Sequence, residues 1–220
     1  MAIDVSGSML AKDLKPNRME ALKEVAANFV EGRPNDRIGI VVYAAESYTK
    51  TPVTSDKAII QESIKEIKYD NVIQDGTGIG MGLTTAVNRL KDSKAKSKVI
   101  ILLTDGVNTA GFIDPRTATE LAKELKIKVY TIAIGTNGMA PFPYAKDHRG
   151  NLLFRNQKVE IDEALLKYIA KETSGKYFRA TNNSKLKAVY DEINKLEKTK
   201  IEEFKYYNYK EQYRQFVLVA

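Results

Sequence analysis

The sequence predicts an α/β protein: a doubly wound, mostly parallel sheet with helices on both faces and one short antiparallel edge strand. Two observations carry this expectation. Three runs, Arg37 to Ala45 (RIGIVVYAA), Lys98 to Thr104 (KVIILLT) and Lys128 to Gly135 (KVYTIAIG), are apolar without alternation, as strands covered on both faces are. Helical stretches separate them, and strands alternating with helices build βαβ units with right-handed crossovers.

The elements follow in order. Met1 to Asp4 is a very short first strand. Arg18 to Glu31 places Met19, Leu22, Val25, Ala26 and Phe29 on one helical face, with Pro16 and Asn17 as starting signals. Tyr48 to Val53 reads as an edge strand, because Pro52 would remove a ladder donor from a central one. Ser55 to Ile67 reads as a serine-capped helix with Ile59, Ile60, Ile64 and Ile67 on one side. Gly78 to Leu90 and Pro115 to Leu125 are helical patterns, the second with proline at a permitted first-turn position. Residues 136–160 break the rhythm with glycine, proline and polar residues, and a hairpin is expected around Asp147 to Asn151. Asp162 to Thr173 (helix), Lys176 to Ala180 (strand) and Ser184 to Lys198 (helix) restore it.

Composition narrows the chemistry. The 220 residues include 35 basic and 28 acidic side chains, a net charge of +7, with no cysteine and one histidine. Disulfides, thiolate metal sites, cysteine nucleophiles and multi-histidine zinc sites are therefore excluded. A serine triad would have to use His148, which reads as a turn residue of the insertion. The lysines are spread over most helices near glutamates, the pattern of solvated faces rather than of a nucleic-acid surface.

No apolar run approaches the ~20 residues that cross a bilayer. The chain stops inside an apolar stretch, Phe216 to Ala220, preceded by Tyr206, Tyr207, Tyr209 and Tyr213, the residue type enriched at membrane interfaces. The expectation is a domain over residues 1–203, with an insertion at about 136–160, excised from a longer membrane-anchored protein. Residues 204–220 would then lead to a membrane span; a final edge strand faced with tyrosines is the other reading of that segment.

In a doubly wound sheet, ligands bind at the carboxyl ends of the strands where strand order reverses. After the first strand stand Asp4, Ser6 and Ser8, with Gly7 between the serines; after KVIILLT stands Asp105; and Thr77 lies in the glycine-rich turn Asp75-Gly76-Thr77-Gly78. Every one of these donors is oxygen, which selects a hard divalent ion: Mg²⁺, Mn²⁺ or Ca²⁺. Taken singly, each residue could equally cap a helix or form a turn.

Taken together, DVSGSM after a strand, a distant threonine in a glycine-rich turn and TDG after an apolar strand resemble the von Willebrand factor A domain. Its metal-ion-dependent adhesion site has the pattern D-x-S-x-S, then T, then D, matched by Asp4, Ser6, Ser8, Thr77 and Asp105. The resemblance implies a Mg²⁺-dependent, non-enzymatic protein-interaction module. The serines and threonine would ligate the ion directly or through water, the aspartates would bind or orient ligands, and a partner protein would offer an Asp or Glu carboxylate. Within the family, VVYAAESYTKTPVTSD, DGTGIGMGL, VIILLTDGVNTAG and the insertion after YTIAIG are similar to the bacterial aerotolerance (Bat-type) membrane proteins. That similarity implies a cell-membrane protein with this domain on the periplasmic side.

The competing function is a Mg²⁺-dependent hydrolase or phosphotransferase with Asp4 as nucleophile, but the second acid such enzymes carry two residues on is here Ser6. A dinucleotide site on Gly76 to Gly82 fails its own spacing, since Met81 and Leu83 stand where the third glycine belongs. Four loops are expected to leave the same end of the sheet beside the oxygen cluster: Met9 to Pro16, Glu46 to Thr51, Tyr69 to Gly78 and Val107 to Asp114.

Overall fold

The computed structural model describes residues 1–69, 74–136, 138–149, 151–159 and 161–202. Among them the strands are β1 (Ala2–Asp4), β2 (Ile38–Tyr43), β3 (Ser47–Thr54), β4 (Val99–Thr104), β5 (Lys128–Ile134), β6 (Gly138–Lys146), β7 (Leu152–Val159) and β8 (Tyr177–Ala180). The helices are α1 (Arg18–Glu31), α2 (Lys57–Lys65), α3 (Ile79–Leu90), α4 (Pro115–Glu124), α5 (Glu163–Glu172) and α6 (Asn183–Glu202). Six strands form one sheet in the order β3-β2-β1-β4-β5-β8, all neighbours parallel except the edge pair β2 and β3. The predicted fold class holds, including the antiparallel edge strand with Pro52 on it.

Alternate side chains of each central strand enter different cores, which is why those strands read as unbroken apolar runs. Ile101 and Leu103 pack with Leu22, Phe29, Ile60 and Tyr190 beneath α1, α2 and α6. Ile100 and Leu102 pack with Ile79, Leu83, Ala122 and Leu166 beneath α3, α4 and α5. The chain leaves β1 toward β2 on one side and returns to β4 on the other, so strand order reverses between β1 and β4. The crevice beyond their carboxyl ends is where a ligand site is expected.

Three expectations need correction. Asp56, not Ser55, caps α2, accepting from the Ala58 and Ile59 amides, because its side chain is the one aimed back along the first turn. Ile59 is 49% exposed rather than on the core face with Ile60 and Ile64, since the sheet covers only a narrow stripe of this short helix. Glu46 to Thr51 is not a loop: β3 begins at Ser47, and only a tight turn separates it from β2. The hairpin expected around Asp147 to Asn151 is present, as a two-stranded antiparallel sheet of β6 and β7. Its turn is closed by the Asp147 carboxylate, which accepts from the Arg149 and Asn151 amides and leaves His148 exposed.

The scattered lysines do lie on solvated faces. Lys23–Glu20, Lys123–Glu172, Lys167–Glu163 and Lys176–Glu192 are surface pairs at 2.5–3.0 Å, of the solvent-screened kind that adds little to stability. Among the described residues no helix is long and apolar enough to cross a membrane. The tyrosine-rich segment 204–220 lies outside the described residues.

Candidate metal centre

β1 ends at Asp4, and the chain turns at once into a single 3-10 turn, Gly7–Leu10, held by the Met9 amide donating to the Ser6 carbonyl. Neighbouring β4 ends at Thr104, which places Asp105 beside Asp4 across the crevice. Thr77 arrives from the turn before α3. Its amide donates to Thr109 Oγ1 and its carbonyl accepts from the Thr109 and Ala110 amides, so the segment after β4 clasps it in place. A second clasp comes from Asn108, whose side chain accepts from the Ile79 amide.

All five sequence-predicted residues therefore converge. The Ser6 and Ser8 hydroxyls are 2.8 Å apart, Ser8 Oγ donates to Asp105 Oδ1 at 2.6 Å, and Thr77 Oγ1 reaches Ser6 Oγ at 3.5 Å. Asp4 Oδ1 accepts from the Ser6 amide at 2.9 Å and Oδ2 from Thr104 Oγ1 at 2.8 Å. The cluster is sheltered: Asp4 and Asp105 are 0% exposed, Ser6 2% and Thr77 5%.

The glycine run before and within α3 is a packing feature, not a phosphate cradle. A side chain at Gly80 would meet the Ile113 carbonyl oxygen at 2.0 Å, and one at Gly82 would strike the Tyr43 ring at 2.4 Å. Room for a close neighbour, not φ freedom, is what Gly80 and Gly82 supply. The same close packing brings Thr77 down to the serines.

Electrostatically the site is short of positive charge. Burial raises the Asp4 carboxyl, and neighbouring Asp105 raises it further, to about 7. Burial also raises Asp105, against the pull of Arg18 and the hydrogen bond from Ser8. Two mutually repelling buried carboxylates invite a cation. The oxygens also suit one: contacts of 2.6 and 2.8 Å lie just short of the ~2.9 Å edge of an octahedron whose bonds are about 2.0–2.1 Å. Among the described residues no group of three or more His, Asp and Glu side chains stands together, so any ion here must rely on hydroxyls for much of its shell.

Sequence reasoning missed three participants. Thr104 holds Asp4, as given above. Asp75 accepts from the Gly7 amide at 2.9 Å and fastens the serine turn to the threonine turn. Arg18, the first residue of α1, is wholly buried and donates from Nη1 to Asp105 Oδ2 at 2.8 Å, while its Nε and Nη2 hold both oxygens of Asp13 at 2.7 and 2.6 Å. An arginine opening a helix gives no sequence signal of this role.

The comparisons with known proteins agree with this geometry. The profile of the von Willebrand factor type A domain matches residues 1–108. The crystal structure of BatB, a conserved hypothetical protein from Bacteroides thetaiotaomicron, is 32% identical, with 89% of this chain and 96% of that one covered and a TM-score of 0.72. An aerotolerance-related membrane protein from Bacteroides fragilis is also 32% identical, covering 88% and 96%, with a TM-score of 0.69. An uncharacterized protein of Borreliella burgdorferi is 27% identical along all of this chain and 64% of its own length. The chain thus spans about three fifths of the length of the curated relatives it matches. Proximal thread matrix protein 1 of the mussel byssus shares the fold, with a TM-score of 0.66 at 22% identity, and its own adhesion motif is occupied by zinc. The oxygen cluster at the β1–β4 switch point, the strand order and these matches lead to one placement: the chain belongs to the von Willebrand factor type A domain family.

Proposed function

We propose that this domain binds a divalent cation, Mg²⁺ in the first place, and uses it to hold a carboxylate of a partner protein. Ser6, Ser8 and Thr77 would hold the ion directly, with Asp4 and Asp105 supplying negative charge from alongside. When bound, the ion supplies a Lewis-acidic position toward which an outside Asp or Glu is drawn. The observation that carries the reading is the sheltered cluster itself: three neutral hydroxyls joined to two buried carboxylates. A neutral inner set leaves the ion electron-poor, so an incoming carboxylate gains more than a neutral group would.

The surroundings support binding rather than turnover. Both Asp4 oxygens already accept hydrogen bonds and the residue is buried, a poor disposition for a nucleophile. The segment that clasps Thr77 presents Phe112, 86% exposed, and Val107, 39% exposed, which offer apolar contact beside the site. A lone carboxylate–metal contact would not hold a protein, and such side chains supply the remainder of an interface. The name of the Bacteroides fragilis relative, a membrane protein, supports a membrane-anchored parent; the proposal takes residues 1–203 as its interaction domain and the periplasm as its compartment.

The test is capture from detergent-solubilised membranes by the immobilised domain, with Mg²⁺ or with EDTA. The expected result is a partner retained in Mg²⁺, released by EDTA and not captured by Asp105→Ala. Thr77→Ala should weaken capture strongly. It should add little to the effect of removing the partner's essential carboxylate, because the two lesions break one shared contact. Capture that survives EDTA would sink the reading.

A further inference from the structure

Arg18 is the largest wholly buried side chain of the described residues, and the mechanism above does not use it. Its surroundings are built to receive it. Gly135, at the end of β5, has a φ of +116°, and a side chain there would come within 2.5 Å of Arg18 Nη2. Asp13 takes two bonds from the guanidinium and is itself held by the Thr136 amide at 2.8 Å and the Thr136 hydroxyl at 3.2 Å. One unbroken chain of polar contacts therefore runs Thr136–Asp13–Arg18–Asp105–Ser8–Ser6–Thr77.

We infer that Arg18 is a positioning residue and the internal counter-charge of the metal centre, restraining the affinity of the site and biasing it toward Mg²⁺ over Ca²⁺. This rests on the metal-binding reading above. Two consequences of the geometry lead to it. First, Arg18 takes Asp105 Oδ2, so this carboxylate cannot present both oxygens to an ion; only Oδ1, which accepts from the Ser8 hydroxyl, lies on the site's side. Ca²⁺ draws on bidentate carboxylates to fill six to eight positions, whereas Mg²⁺ is content with single oxygens and water. Asp4 is restricted in the same way, with its two oxygens spent on Ser6 and Thr104. Second, the fixed positive charge repels a cation, and Asp13 tempers that repulsion by sharing the guanidinium.

The sign of the expected effect separates this role from ordinary support. Outer partners that merely orient ligands weaken metal binding by about 10–100-fold when removed. Removing Arg18 should instead strengthen it. Calorimetric titration of Mg²⁺ and of Ca²⁺ into EDTA-stripped, desalted protein tests this, with circular dichroism confirming that each variant is folded.

Arg18→Gln is expected to bind Mg²⁺ about tenfold tighter than the parent, with a larger gain for Ca²⁺. Arg18→Lys keeps the charge and should return Mg²⁺ affinity to within about threefold of the parent. Asp13→Asn leaves the guanidinium wholly to Asp105 and should weaken Mg²⁺ binding about threefold or more. Folded Arg18→Gln that binds either ion no tighter than the parent would overturn the inference. If Arg18→Gln does not fold, unchanged or tighter binding by Asp13→Asn would do so. A parent that binds neither ion would instead fail the metal reading itself, and this inference with it.

Discussion

Asp4→Asn should make the metal-free protein more stable at pH 8 and, in the same stroke, abolish its stabilisation by Mg²⁺. The Asp4 carboxyl is raised by burial and by Asp105 from an ordinary value of 3.8 to about 7 in the folded chain. An acid whose folded value is raised holds its proton more tightly folded than unfolded. Its favourable contribution is complete below about 4 and is lost as pH rises through about 7. Above that, the native state carries an ionised carboxylate it would rather not have, at a cost on the order of a few kcal/mol. Asparagine has the same shape and can still accept from the Ser6 amide, and the Thr104 hydroxyl can reverse to accept from the new amide. The variant should therefore unfold at higher urea than the parent at pH 8 in EDTA, and near the parent at pH 4. Mg²⁺ at 100 times its dissociation constant should return about 2.7 kcal/mol to the parent and nothing to the variant. Urea titrations at the two pH values, with and without Mg²⁺, decide it. An equal Mg²⁺ gain in both proteins would place the ion elsewhere, and a variant weaker than the parent in EDTA at pH 8 would show that Asp4 is comfortable as an anion.

The sheet and the five oxygen donors were legible in the sequence for the same physical reason. Strands covered on both faces need unbroken apolar side chains, so RIGIVVYAA, KVIILLT and KVYTIAIG announce themselves. Once the strands are placed, the residues just after them fall at one end of the sheet, which brings Asp4, Ser6, Ser8 and Asp105 together. Thr77 required the motif as well, because nothing local says that its turn folds over the serines. Arg18 lay beyond such reasoning. In one dimension it opens an amphipathic helix, a place where arginine normally reaches water. Only the position of the α1 start beneath the ends of β4 and β5 turns its guanidinium inward, toward Asp13 and Asp105. The single hint was Gly135, and a glycine after a strand has too many ordinary uses to be read as room for a guanidinium. The α2 boundary failed for a smaller reason: Ser55 and Asp56 are both good caps, and which one turns inward depends on how β3 delivers the chain.

A pair of glycine substitutions should separate the stability of the fold from the integrity of the site. Gly80 in α3 lies against the Ile113 carbonyl, where an added Cβ would sit 2.0 Å from the oxygen; Gly175, before β8, lies against the Val129 carbonyl, where it would sit 1.9 Å away. Both neighbours are backbone and cannot swing aside, so elements must part, and each alanine variant should lose about 3 kcal/mol in urea unfolding. Their positions differ. Val129 stands near the start of β5, at the end of the sheet away from the metal centre. Ile113 belongs to the segment 105–114, whose Asn108, Thr109 and Ala110 hold the Thr77 turn. Parting α3 from that segment loosens Thr77 directly. Gly80→Ala should therefore also weaken Mg²⁺ binding by about 10–100-fold, as the loss of a supporting shell does. Gly175→Ala should leave Mg²⁺ affinity unchanged at concentrations of urea where it remains folded. Calorimetric titration of both variants at low temperature, where each retains its native dichroism, reads the difference. Equal loss of affinity in the two would mean that the whole sheet relays the strain. Unchanged affinity in both would mean that the hydroxyl of Thr77 is not held by the clasp of segment 105–114 at all.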